Sequence, residues 1–325
     1  MQEIKSYILK NNLVEISILN IGAVLHKFLY KGQNIVLTYD DINDYIKNQI
    51  YLGAIVGRVA GRISDAKFNL NGEEYNLDNN ESNYSIHGGY TNLTTRFWHV
   101  EKYVRNDINP HIILSTILKD GDSGYPGNVK IAIKYILIES TLRIEIFANS
   151  DKDTIVNITN HSYFNLNSDK KKSIKNHKLK INSNQILANE DNGVPYKLME
   201  VDNTDFDFNN FKSLSILNKL THPQSKKFNG LDHAFILNGK VPSLVLKNEK
   251  FELLINTSYP SLVVYTGNEI GNKFDIANTK SYNHQGIAIE AQYEPDFINK
   301  DFLPNYILKK DNELIQFIEY KIDIV

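Results

Sequence analysis

TLRIEIFA, residues 141–148, alternates without a break: Leu142, Ile144 and Ile146 fall on one side of an extended chain, Arg143 and Glu145 on the other. A period of two is the signature of a half-buried β-strand. Immediately upstream, VKIAIKYILIES (129–140) repeats the pattern, as do HIILSTIL (111–118) and FELLINTS (251–258), all rich in β-branched residues. AKFNLNGEEYNL (66–77) reads as a hairpin, because Asn71-Gly72 accepts the positive φ angles of a tight type I′ turn between alternating arms. Helical signals are poor, and SLSILNKL (213–220) is the best of them. There is no long linker, repeat or low-complexity block, and Lys170–Lys172 reads as a solvated turn. These patterns predict an all-β fold: residues 1–325 as a single domain, a large antiparallel β-sandwich with few short helices. Such sheets cover one face with core and present the other, concave, to a ligand.

The bulk numbers agree. A chain of 325 residues holds one large all-β domain or two ordinary ones. With 42% hydrophobic and 23% charged residues it has the composition of a soluble globular protein. Its net charge of −2 gives no reason to expect nucleic acid or an anionic membrane as a partner. Cysteine is absent, which removes disulfides, a thiol nucleophile and thiolate metal sites, and fits a reducing compartment. Lys5, Lys10 and Glu15 interrupt the N-terminal apolar residues before a signal peptide could form. No stretch approaches the roughly 18–20 apolar residues of a membrane helix. The expectation is a cytoplasmic enzyme or binding protein.

Five segments break the strand pattern. GRVAGRISDAKF (57–68) holds two of the chain's five arginines, Arg58 and Arg62, between glycines, although lysine is otherwise strongly preferred. The planar guanidinium fork suits a pair of adjacent oxygens, or an ion pair bracing a turn. In SIHGG (85–89), His87 precedes two glycines, as where the backbone turns sharply or approaches something closely. In VNITNHSYFNLN (156–167), His161 sits where a core strand would carry Val or Leu, and Asn160 and Ser162 stand ready to orient its ring. NGLDHAF (229–235) places Asp232 beside an apolar run. GIAIEAQYEPD (286–296) puts Glu290 at the end of a buried strand, where a carboxylate is either paired or used. Each histidine read alone is equally a satisfied structural one, and Asn-Gly and Asp also mark ordinary turns. Taken together they offer two imidazoles, a guanidinium and two carboxylates, with no serine elbow, Walker loop or metal-spaced histidine pair. That set suits proton traffic on a polyhydroxylated small molecule.

The chain resembles the aldose 1-epimerases (galactose mutarotases) over nearly its whole length. The resemblance rests on NIGAVL (20–25), GRVAGRI (57–63), FNLNG (68–72), SIHGG (85–89), DGDSGYPGNV (120–129), NITNHSYFNL (157–166), GLDHAF (230–235), VVYTGN (263–268) and IAIEAQYEPD (287–296). It implies a galactose mutarotase-like supersandwich holding the sugar in a concave cleft, with no metal or organic cofactor. It further implies His161 as general acid, Glu290 as general base, and Arg62, His87 and Asp232 as ligands of sugar hydroxyls, with Tyr163 lining the cleft. Two positions depart from the family pattern: Gly61, where many members carry Asn, and Val263, where some carry Gln. Each removes a potential hydroxyl contact, so the preferred aldose, galactose or glucose, stays open, as does the choice between monomer and homodimer.

Four other functions compete. A glycoside hydrolase would pair Asp232 with Glu290. A sugar-binding module would use the same cleft without turnover. A metal centre would draw on His87, His161 and Glu290. An epimerase of phosphorylated hexoses would want further arginines for the phosphate, and beyond Arg143 the chain has none.

Overall fold

The computed structural model describes residues 2–325. Its largest sheet has nine strands, in the spatial order His99–Val104, His111–Leu118, Val129–Ile138, Thr141–Ser150, Glu313–Ile324, Phe251–Thr257, Leu244–Lys247, Lys178–Ile181 and Lys212–Ser213. A second sheet of six strands runs Tyr163–Phe164, Ile287–Gln292, Ser261–Tyr265, Asp232–Leu237, Ser183–Asn189 and Pro195–Glu200. A four-stranded meander, Ser6–Asn34, adds a third layer element. Neighbouring strands in all three sheets are antiparallel. The sandwich expected from the alternation is the architecture found.

The reason is visible in TLRIEIFA. Leu142, Ile144, Ile146 and Ala148 are buried and join one continuous apolar core. On the outer face Arg143 reaches Glu145 and Glu319 at 3.1 and 2.6 Å and lies over the Phe317 ring. That core also takes Ile131, Ile133 and Tyr135 from the neighbouring strand, Leu253 and Ile255, and Phe164, Ile287, Ile289 and Val264 from the six-stranded sheet. The hairpin over residues 66–77 forms as expected, with Asn71 and Gly72 at φ of 54° and 85°.

Two local expectations change. SLSILNKL forms only a short 3₁₀ turn, Leu214–Asn218, capped by Ser213; the single α-helix among the described residues is Pro223–Lys227. Lys170 is not part of a solvated turn. Its ammonium turns inward and donates to the carbonyls of Asn165 and Asn167, and burial lowers its pKa to about 7. Among the described residues no helix is long and apolar enough to cross a membrane.

Candidate active site

Strand register decides which side chains share the face of the six-stranded sheet turned away from the main core, because partners directly opposite point the same way. One row across it reads Tyr163, Ala288, Tyr265, Asp232. The next reads Glu290, Val263, Ala234, and the third Gln292, Ser261, Ile236. The alternate residues, Phe164, Ile287, Ile289, Val264 and Phe235, go into the core. Glu290 therefore sits inside its strand, not at the end, and faces away from the core because of its parity in the pleat.

His161 reaches the same face from the segment just before the first of these strands. Its backbone N–H donates to the Ala54 carbonyl at 2.8 Å, and its own carbonyl accepts from Gly53 N–H at 3.0 Å. Asn160 helps indirectly, donating its amide to the Gly53 carbonyl at 3.0 Å. The expectation that Asn160 and Ser162 hydrogen-bond the imidazole is corrected. His161 Nδ1 and Ser162 Oγ have no partner, and the ring is held by packing among Tyr163, His87 and Tyr51, at centroid distances of 5.1, 5.5 and 5.7 Å.

His161 Nε2 lies 3.4 Å from Glu290 Oε1. The two residues are 4% and 3% exposed, so each charge is unwelcome. Burial, reinforced by the Asp232 charge, pushes the Glu290 carboxyl up to about 8 although Arg62 opposes it. Burial lowers His161 to about 4. In the resting site the pair therefore carries one proton between about pH 4 and about pH 8, and that proton rests on Glu290. Burial disfavours an imidazolium in the free site.

Around this pair stand the other expected residues. Arg62 Nη2 donates to Asp232 Oδ2 at 3.3 Å and the guanidinium lies over the Tyr84 ring. Burial opposes its charge, but Asp232 and then Tyr84 outweigh that and keep it cationic. His87 is buried, its pKa well below the usual value because of that burial and of nearby His161 and Arg62. Its Nδ1 accepts the Gly61 N–H at 3.2 Å, so the neutral ring carries its proton on Nε2. The loop behind it needs Gly88: a Cβ there would lie 2.2 Å from the Gly57 carbonyl oxygen. Arg58, the other arginine of its motif, is not in the site. It is buried and donates to the carbonyls of Pro126 and Gly127.

The geometry bears on the rival readings. Ligand atoms of His87, His161 and Glu290 lie within 4.8 Å of one another. A tetrahedral centre with ~2.1 Å bonds holds its ligands about 3.4 Å apart, and each imidazole must offer a lone pair. His87 offers an N–H, its other nitrogen being occupied by Gly61, so the donor set does not fit a metal. Asp232, the carboxylate a hydrolase would pair with Glu290, meets Arg62 through Oδ2 at 3.3 Å. Residues the sequence reading missed are Tyr51, Tyr84, Tyr265 and Gln292. Tyr51 and Tyr84 carry no distinguishing local pattern; Tyr265 and Gln292 stand within quoted motifs, at the parity of the cleft face.

Comparison with known proteins agrees with the geometry. The family described as aldose 1-epimerase matches residues 5–321. An aldose 1-epimerase of Haemophilus influenzae is 34% identical over 290 residues, 86% of this chain and 83% of that one. A galactose mutarotase of Bos taurus is 29% identical over 328 residues, 95% of this chain and 91% of the relative. The crystal structure of a galactose 1-epimerase from Lactobacillus acidophilus superimposes with a TM-score of 0.91 at 31% identity, over 99% of this chain and 95% of the other. With the family match spanning nearly the whole chain and a relative above 30% identity, the chain belongs to the aldose 1-epimerase family.

Proposed function

We propose that the chain interconverts the α and β anomers of free hexoses such as galactose or glucose, with Glu290 as base and His161 as acid. The exchange requires the ring to open. Glu290 takes the C1 hydroxyl proton, and His161 gives a proton to the ring oxygen. The C1–O5 bond breaks as the C1 carbonyl forms. Rotation about C1–C2 turns the carbonyl over, and the ring oxygen attacks its other face while both protons return. The hydroxyl and the ring oxygen share one carbon, so their acid and base must themselves be neighbours. The 3.4 Å approach of His161 to Glu290 is the observation that carries the reading.

The resting protonation fits this course. Glu290-COOH with neutral His161 holds the same number of protons as carboxylate with imidazolium. A sugar offering hydrogen bonds to both charged groups favours the second form, and the proton crosses between them without exchange with solvent. Glu290 Oε2 and His161 Nδ1, buried without partners, leave room for such bonds. Arg62, Asp232 and the His87 Nε2–H hold ring hydroxyls, and Tyr163 walls the cleft beside His161. No organic cofactor or metal takes part. The absence of cysteine supports a cytoplasmic setting, and the enzyme acts as a monomer or homodimer.

Polarimetry on freshly dissolved α-galactose and α-glucose tests the assignment. Glu290→Gln and His161→Asn should each lower kcat by about 10²–10⁴, the range for a general acid or base, while circular dichroism reports a folded protein. Full activity in either variant refutes the role of that residue. Cleavage of a chromogenic glycoside by the wild-type protein would favour the hydrolase instead.

A further inference from the structure

Arg62 is held by its own bonds less firmly than its place in the site requires. Its hydrogen bond to Asp232, at 3.3 Å, is long for a charged pair, which commonly closes to about 2.7–2.9 Å. Its Nε is buried without a partner, and a buried donor left unmet is costly. A flexible side chain so placed needs something else to keep its rotamer.

That support is the turn over residues 190–194, which joins Ser183–Asn189 to Pro195–Glu200 at the edge of the six-stranded sheet. A Cβ built on Gly193 would stand 2.6 Å from Arg62 Cζ, 2.8 Å from Nε and 3.0 Å from Nη1. The carbon is nearer than either nitrogen, so the turn lies over the flat face of the guanidinium rather than against its edge. A guanidinium donates in its own plane. Backbone over the face therefore restrains the group while leaving its edges to Asp232 and to a ligand. At 2.6 Å no side chain fits there unless Arg62 moves. Gly193 also has φ of +80°, which glycine adopts freely.

The turn is itself fixed. Glu190 N–H donates to the Val194 carbonyl at 2.8 Å, and Gly193 N–H to the Glu190 carbonyl at 3.0 Å. Lys227 meets Asp191 at 2.7 Å. At the base of the turn, Asn189 Nδ2 donates to the Asp232 carbonyl at 2.8 Å. One residue thus ties the turn over the guanidinium to the strand that carries its carboxylate partner. The Arg62 side chain is still 22% exposed, so the clamp does not seal it from a ligand.

We propose that Gly193 is a positioning residue for substrate binding: the bare backbone of its turn presses on the Arg62 guanidinium and keeps its donors aimed at the sugar. Gly193 touches no substrate and acts through Arg62. This rests on the mutarotase reading, with Arg62 as a ligand of ring hydroxyls.

Gly193→Ala adds the Cβ and little else, but it also strains the backbone. Gly239→Ala is the matched control, since Gly239 has φ of +79° and a Cβ there meets nothing within 4 Å. Both variants should lose melting temperature through that strain. Polarimetry on α-galactose and α-glucose should show KM raised about 5- to 50-fold in Gly193→Ala, with kcat changed less than about threefold. Gly239→Ala should keep both within about twofold of the wild type. In an Arg62→Lys background, which lacks the planar fork, adding Gly193→Ala should cost less than about a further twofold. A KM for Gly193→Ala within about twofold of the wild type, or an equally large loss when residue 62 is lysine, overturns the proposal. Should Gly193→Ala fail to fold, Gly193→Asn carries the same Cβ, tolerates positive φ and takes the same measurements. Calorimetric binding separates the two readings. A wild type that binds these sugars without turning them over sinks the mutarotase reading, and the same cycle read in Kd then decides the role of Gly193. A wild type that neither binds nor turns them over sinks both.

Discussion

Placing His161 Nε2 against Glu290 Oε1 in a buried site makes one proton, shared by two groups, the working unit. Such a pair titrates as a unit, with macroscopic pKa values that belong to both. Below about 4 it holds two protons and above about 8 none, so only between these limits is the catalytic count present. The kcat/KM profile against pH should be a bell with limbs near 4 and near 8. A flat profile, or an acid limb at the ordinary histidine value, would contradict the shared proton. Stability follows from the same burial. Glu290 has its folded pKa raised above the usual 4.5, so the folded state binds more protons between 4.5 and about 8 and loses stability as pH rises through that window. Glu290→Gln has no proton to lose there. Its melting temperature should decline less than that of the wild type on going from about pH 6 to pH 9, even as its activity is lost. The enzyme would then be carrying an acid that its fold tolerates only for chemistry.

At the scale of the element, a strand does two jobs by parity. In Thr141–Ser150 the inward set is pure core, and Ile146, fully buried opposite Ile133, has no polar task. Ile146→Ala should cost about 2–5 kcal/mol in urea unfolding, from lost transfer energy and the cavity left behind. Arg143→Ala, on the outer face with its two glutamates, should cost about 1 kcal/mol or less, since partly exposed ion pairs are worth little. Neither variant should alter KM. If Arg143→Ala proved as damaging as Ile146→Ala, the account of the sheet as held by its inner face would fail. In Ile287–Gln292 the same alternation sends Ile287, Ile289 and Ala291 to the core between the sheets and Ala288, Glu290 and Gln292 to the opposite face, where Ala288 joins a second apolar cluster with Tyr163. Because all six are buried, burial alone does not tell the two sets apart.

On the scale of the molecule, the site draws Arg62, His87, His161, Asp232 and Glu290 from five separated stretches, and the apolar core beneath them is continuous with the nine-stranded sheet. Nothing local holds these side chains at their separations. Activity and tertiary structure should therefore be lost together: mutarotase rate and near-ultraviolet circular dichroism should trace one urea transition with a common midpoint. Activity that disappears well before the spectrum changes would mean that the cleft unfolds by itself and that residues 1–325 are not one cooperative unit.

Fold class was legible because alternation is a one-dimensional signal: in TLRIEIFA and its neighbours the chain states which side of each strand is wet. The polar candidates were legible as well, since His161 and Glu290 break runs that physical chemistry would otherwise fill with Val or Leu. Their roles came from resemblance to a family rather than from spacing. Burial and contact were not legible. That Arg58 serves two carbonyls while Arg62 meets Asp232, that Lys170 turns inward, and that Gln292 is sealed beneath Gly61 and Pro295 depend on which strands become neighbours. The proton's resting place is of the same kind. A side chain's type supplies its ordinary pKa, but the desolvation and the nearby charges that move it are set by residues distant in the chain, and only the tertiary structure brings those within a few ångströms.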